Sequence, residues 1–365
     1  MIKSTRKAIV ACKRVSKIQK HKICVNLKQK IDRIRVLQKF AQKSKYIKSY
    51  SEVIMQYAFV FPGQGSQSVG MGKELYENFE IAKEMFGIAS EKLKVDFTKL
   101  LFSENDLLNQ TQYTQPAIFL VSQIAHTILQ QESPLLAKYA LGHSLGEISA
   151  LCVALGVGFE DGLYLTSKRG ELMQKTCEGI DAGMLVVVGL EDAKLEKACE
   201  NLRKEGKQIW AANYNGDGQV VCAGKKADLD FAQSTLKDLG AKRVLLLAMS
   251  VASHCPLLEP MRVEFEALLK PMLKENFALP IISNATAQSY NSAKDALKLL
   301  SLQLTSPVLY KQSIQSIDNE VDCYIELGHG SVLKGLNKRL SQKTTLNVSD
   351  IESLKATIAQ IEQNS

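Results

Sequence analysis

From residue 57 onward the chain alternates between short apolar runs and longer stretches whose apolar residues recur every three or four positions. Tyr57–Phe61 is an unbroken apolar run of strand length, and residues 138–141 read as a second strand. Between them, Ala117, Val121, Ile124, Ala125 and Ile128 fall on one face of a helix over about 115–131, with Pro116 in its first turn. Residues 145–154 and 160–176 also carry helical spacing. Strands alternating with helices in this way predict a parallel sheet in an α/β body.

Residues 181–248 follow a different rhythm. The pattern predicts a strand over 184–190, a helix over 192–204, strands over 208–213 and 219–223, a helix over 228–239 and a strand over 243–247. The order β-α-β-β-α-β predicts a ferredoxin-like subdomain inserted into the larger body. The body resumes with a helix over 257–269 and strands near 281–283 and 322–326. A helix begins after Gly328-His329-Gly330. The expected fold class is therefore α/β: a parallel-sheet, α/β-hydrolase-like body (55–180 and 249–365) carrying a ferredoxin-like subdomain (181–248).

Charge separates the first 54 residues from the rest. Residues 1–55 hold 16 Lys/Arg against Asp32 and Glu52, a net +14, out of 46 basic and 38 acidic residues in the chain. The remaining 30 basic and 36 acidic residues give the body a net −6. The arm contains no Gly and no Pro, and reads as a nucleic-acid or membrane-surface tail, a transit peptide, or a segment outside the mature protein. Met55 stands directly before the first core strand, which favours the last of these. The body itself carries no apolar run of the roughly 18 residues a membrane span needs. Eight scattered cysteines without a C-x-x-C pair argue against a zinc cluster or disulfide framework and fit a reducing cytoplasm. No metal or cofactor site is expected.

Chemistry concentrates at Gly142-His143-Ser144-Leu145-Gly146, where an apolar strand turns sharply into a helix. Gly-x-Ser-x-Gly in that context is a nucleophile elbow, which holds a serine hydroxyl exposed at the top of a sheet beside a helix N-terminus. Ser144 then needs a base and an oxyanion site. His21 lies in the arm, His126 falls mid-helix beside the apolar stripe, and His143 is the serine's own neighbour. His254, on a domain-junction loop before Pro256, and His329, in a Gly-His-Gly turn, both remain open as the base, with the loop position favouring His254. No aspartate suggests itself as a third member, and over 100 residues follow His254, which counts against a plain α/β-hydrolase triad. The loop Pro62-Gly63-Gln64-Gly65-Ser66-Gln67 lacks the ending of a P-loop and reads as an oxyanion-side loop. Arg169, alone in a helical stretch, reads either as a solvated surface residue or as a bidentate clamp on a substrate carboxylate.

Taken in order, these segments resemble the malonyl-CoA:acyl carrier protein transacylases of type II fatty acid synthesis. The resemblance rests on Phe59-Val60-Phe61-Pro62-Gly63-Gln64-Gly65-Ser66-Gln67, Thr114-Gln115-Pro116-Ala117, Gly142-His143-Ser144-Leu145-Gly146-Glu147, Lys168-Arg169-Gly170, Gly218-Gln219-Val220-Val221, Ser253-His254 and Glu326-Leu327-Gly328. It covers residues from about 57 to 340 and leaves the arm uncovered. It implies that Ser144 takes the malonyl group, that His254 is its base, and that the main-chain carbonyl of Gln303 orients that histidine. It also implies an oxyanion hole from the backbone amides of Gln64 and Leu145, and pairing of Arg169 with the free carboxylate of malonate. Leu145 after the serine leans towards malonyl over methylmalonyl. Gly328-His329-Gly330 stands where such enzymes more often carry Gly-Pro-Gly.

The implied partners are malonyl-CoA and acyl carrier protein, with no nucleic acid and no membrane. An acidic carrier would dock on basic residues, for which Lys242, Arg243, Lys334, Lys338 and Arg339 are candidates. Two other functions compete: a serine thioesterase or esterase using the same nucleophile, and a catalytically inactive carrier-binding scaffold. Arg169 discriminates against a hydrolase of neutral acyl chains, which has no use for a cation there.

Overall fold

The computed structural model describes residues 55–247 and 251–364, all within one unit spanning Met55–Ser365. The expectations for the arm, residues 1–54, lie outside the described residues. The central sheet has six strands: β1 (Tyr57–Phe61), β2 (Ala137–Gly142), β7 (Ile281–Ile282), β8 (Ser289–Tyr290), β9 (Cys323–Leu327) and β10 (Thr344–Val348). Their order is β10-β9-β1-β2-β7-β8, parallel throughout except for β8, which pairs antiparallel with β7. All five residues of β1 and of β9 are buried, as expected when helices cover both faces of a parallel sheet; β1 is a continuous apolar run, while β9 also buries Glu326, whose carboxylate accepts from the Leu333 and Lys334 N–H groups.

β1 pairs with β2 so that Phe61 lies opposite Gly142. This register brings the loops after both strands, the Gln64 loop and the Ser144 elbow, to the same carboxyl edge of the sheet. Ligands of open α/β sheets bind at that edge.

A second sheet is made of β3 (Ala182–Val188), β4 (Ile209–Gly216), β5 (Gln219–Lys225) and β6 (Arg243–Leu246), in the order β4-β5-β3-β6 and fully antiparallel. The helices Asp192–Lys204 and Lys226–Asp238 join these strands and build a separate apolar cluster with them. The backbone of the second sheet is stitched to the body through Val308, which donates to the Ala212 carbonyl at 2.8 Å and accepts from the Tyr214 N–H at 2.9 Å.

Some expected boundaries move. The long helix runs Thr111–Glu132, so Pro116 sits in its second turn rather than its first. The region 257–269 is a 3-10 segment, Pro256–Met261, followed by a helix, Arg262–Leu269, because Pro260 cannot donate within a regular α-helix. Several elements had no prediction: the helices Lys73–Asn78, Glu80–Leu93, Phe97–Phe102, Ala293–Gln303, Tyr310–Ile317 and Ile351–Gln363, and the strand β10. Among the described residues, no helix is long and apolar enough to cross a membrane.

Candidate active site

The two glycines of the elbow are required by close approach. A Cβ on Gly142 would lie 2.0 Å from the Gly146 carbonyl carbon, and one on Gly146 would lie 2.0 Å from the Phe61 carbonyl oxygen. The helix that follows, Gly146–Val153, is therefore pressed directly against the end of β1. The His143 N–H donates to the Phe61 carbonyl at 3.0 Å and ties the turn to that strand. Ser144 has a φ of 54°, a left-handed conformation that costs a non-glycine residue energy and lifts its side chain out of the turn. The Ser144 N–H donates to the Asn284 side-chain oxygen at 2.6 Å, and Asn284 in turn donates to the Gly142 carbonyl at 2.7 Å. Asn284, from the loop after β7, thus braces the strained turn on both sides.

The structure brings His254 to the serine and leaves His329 elsewhere. His254 Nε2 lies 2.7 Å from Ser144 Oγ, and its Nδ1 lies 2.7 Å from the Gln303 carbonyl. A carbonyl only accepts, so Nδ1 carries the proton and the Nε2 lone pair faces the hydroxyl. Gln303 is the last residue of the helix Ala293–Gln303, where carbonyls lack intrahelical partners and the helix end carries partial negative charge. His254 itself has a φ of 61° and is buried. Burial, reinforced by the Arg169 cation, lowers its pKa to about 3, so it rests as a neutral base. His329 Nε2 meets Ser68 Oγ at 2.6 Å instead. His126 packs edge-on against Phe59, and His143 reaches across to Asn215 at 2.8 Å.

Arg169 is 1% exposed, which decides against a solvated surface residue. The next residue is why its helix comes so close: a Cβ on Gly170 would meet the Thr111 carbonyl oxygen at 2.5 Å. The Phe159–Cys177 helix thereby packs on the start of the Thr111–Glu132 helix. Arg169 donates to Gln115 Oε1 at 2.9 Å, Gln303 Oε1 at 3.0 Å and Ser144 Oγ at 3.2 Å. These three acceptors are neutral, and its Nε has no partner among the described residues. Burial lowers the guanidinium pKa to about 10, so it stays cationic at neutral pH.

These groups face a cavity of about 210 Å³ between the carboxyl edge of the main sheet and the second sheet. Gln64, Ser144, Leu145, Arg169 and His254 line it from the body, and Asn213, Asn215 and Val221 from the second sheet. Gln64 and Leu145 both line this cavity, and their backbone N–H groups have no hydrogen-bond partner among the described residues. The Gln64 side chain turns aside to Thr111 Oγ1 at 3.3 Å. Five of the six site residues singled out from the sequence therefore line one cleft, and the sixth, Gln303, is bonded to two of them, His254 and Arg169. Among the basic surface candidates, Lys334 donates to Asn347 and Arg339 to Gln219.

Sequence reasoning missed Glu147, Asn284 and Tyr290. Glu147 is fully buried and accepts from the Asn284 N–H at 2.9 Å, Gln303 Nε2 at 2.8 Å and the Tyr290 hydroxyl at 3.0 Å. Burial raises its carboxyl pKa to about 7 despite those three donors. Its place two residues beyond the elbow serine's neighbour was the available signal. No group of three or more His, Cys, Asp or Glu residues capable of holding a metal occurs among the described residues.

The chain matches the acyl transferase domain family over residues 58–360. It is 35% identical over 309 residues to the malonyl CoA-acyl carrier protein transacylase of Bacillus subtilis (strain 168), covering 84% of this chain and 97% of that one. The crystal structure of the malonyl-CoA:acyl carrier protein transacylase from Helicobacter pylori aligns with a TM-score of 0.82 at 51% identity, over 85% of this chain and 99% of that one. A malonyl-transacylase solved in complex with a type II PKS acyl-carrier protein aligns with a TM-score of 0.81 at 33% identity, over 84% and 99%.

Proposed function

The chain belongs to the acyl transferase domain family, and we propose that it transfers the malonyl group of malonyl-CoA to the phosphopantetheine thiol of acyl carrier protein, supplying fatty acid elongation. Arg169 is the observation that carries the reading. A buried cation with only neutral partners, 3.2 Å from the nucleophile, suits an acyl group that itself carries a carboxylate.

In this reading His254 Nε2 takes the Ser144 proton as Oγ attacks the thioester carbonyl. The oxyanion is held by the backbone N–H groups of Gln64 and Leu145. As the tetrahedral intermediate collapses, the C–S bond breaks and CoA leaves with the proton from His254, so Ser144 becomes a malonyl ester. The carrier's thiol then loses its proton to His254 and attacks the ester. Collapse returns the proton to Ser144 Oγ. The covalent intermediate divides one thioester exchange into two steps of similar chemistry.

No carboxylate holds His254. The Gln303 carbonyl at a helix C-terminus takes that place, with the helix dipole stabilising the transient imidazolium. The Arg169 charge favours malonyl over uncharged acyl groups.

The strand orders support a finer description, in which the body is α/β-hydrolase-like (55–180 and 249–365) and residues 181–248 form a ferredoxin-like subdomain. The βαββαβ order and the antiparallel β4-β5-β3-β6 sheet support the second part. We also read a cytoplasmic setting, supported by six free, buried cysteines among the described residues.

Mass spectrometry after mixing with malonyl-CoA tests the function. A malonyl adduct on the Ser144 peptide should persist without carrier protein, discharge when carrier protein with its phosphopantetheine arm is added, and be missing from Ser144→Ala. Rapid release of free malonate with no persistent adduct would mean a hydrolase instead.

A further inference from the structure

Glu147 is buried beside the catalytic groups, yet no step of the transfer uses it. Its carboxylate only accepts hydrogen bonds, so it fixes which way the Gln303 amide points. Gln303 Nε2 faces Glu147 at 2.8 Å and also donates to the Ser144 carbonyl at 3.0 Å, which leaves Gln303 Oε1 facing Arg169 at 3.0 Å. The negative charge is thus held one amide away from the guanidinium. It is near enough to offset a buried cation and too far to occupy it.

We propose that Glu147, acting through Gln303, is a positioning residue that sets how strongly Arg169 holds the malonyl carboxylate. The proposal rests on the transacylase reading. A direct Glu147–Arg169 pair would fill the clamp. At one remove, Glu147 instead aims the guanidinium and repels the incoming carboxylate, so binding stays weak enough to release the acyl group.

This arrangement predicts a dependence on pH. The charged and titratable groups around Glu147 are Arg169 from the Phe159–Cys177 helix, His254 beyond Gln303, Tyr290 from β8, and His143 from the elbow. Arg169 stays cationic with a pKa of about 10, and His254 stays neutral with a pKa of about 3. Burial, then the Glu147 charge, raises the Tyr290 hydroxyl far above its ordinary value, and burial lowers His143. Glu147, at about 7, is left as the group of this set that titrates near neutrality. As pH falls through that value its charge is lost, and Arg169 holds malonate more tightly. An acetyl group carries no charge and feels none of this.

The test is the ratio of kcat/KM for malonyl-CoA to that for acetyl-CoA between about pH 6 and 8.5. The ratio cancels the titration of CoA phosphates, carrier protein and His254. For the native protein it should rise about tenfold from the alkaline to the acid end, as expected for one charge at roughly 8–10 Å and an effective dielectric near 20. Glu147→Gln keeps the hydrogen bonds, its Oε1 accepting from Asn284 and Gln303 while its Nε2 donates to the Tyr290 hydroxyl. Its ratio should stay at the native protein's acid-end value across the range. A flat native ratio, or a pH dependence that survives in Glu147→Gln, overturns the proposal. If the variant does not fold, the native profile decides alone. Absence of malonyl transfer at every pH would instead overturn the transacylase reading, whereas malonyl transfer with a flat ratio overturns only the role of Glu147.

Discussion

Replacing Arg169 by methionine removes the guanidinium while filling most of its volume, so the perturbation is electrostatic rather than a cavity. Arg169 is 1% exposed and its three acceptors are neutral, so a malonyl carboxylate would be its only direct anionic partner among the groups described. Losing one member of a buried charge pair costs about 2–5 kcal/mol. At 1.4 kcal/mol per factor of ten, malonyl kcat/KM should fall by about 30-fold to several thousand-fold. Acetyl transfer should change far less, since it makes no carboxylate contact. A second readout follows from His254, whose pKa is lowered first by burial and then by the Arg169 cation. Without that cation the imidazole becomes easier to protonate, and the acid limb of the acetyl pH profile should move to higher pH. Stopped-flow acylation with malonyl-CoA and acetyl-CoA measures both quantities. Equal losses for the two substrates would show that Arg169 supports the fold rather than the malonyl carboxylate.

Two further outcomes are expected. With acetyl-CoA, whose acyl group carries no charge for Glu147 to repel, kcat/KM for acylation of the free enzyme should stay flat from about pH 8 down to about pH 5, because a base with a pKa near 3 remains neutral there; an apparent pKa near 6.5 in that acetyl profile would show that His254 is not the base held by Gln303. Gly146→Ala puts a Cβ 2.0 Å from the Phe61 carbonyl oxygen, so it should lower the melting temperature markedly and abolish the Ser144 adduct; a soluble, fully active Gly146→Ala would refute the account of the elbow.

What the sequence determined by itself was local. The elbow was legible because Gly142 and Gly146 sit where any side chain would strike neighbouring backbone, a demand written into five consecutive residues. The apolar run of β1 and the β-α-β-β-α-β rhythm of residues 181–248 were legible because strand and helix periods mark themselves over ten residues or so. The tertiary structure decided what depends on distance along the chain. His254 and His329 were both open until folding carried His254 across 110 residues to Ser144 and gave His329 to Ser68. A lone arginine in a helix carries no mark of burial. Arg169 is buried because Gly170 lets one helix press on the start of another, which no spacing within the Phe159–Cys177 helix records. Glu147 is a first-turn acid of the Gly146–Val153 helix, a position that a positive helix end favours without any partner. Only the packing of Asn284, Tyr290 and Gln303 around it, from three distant segments, made it a buried carboxylate joined to the clamp. Hydrophobic period reports which face of an element turns inward, whereas the partners met there follow from strand register and helix packing.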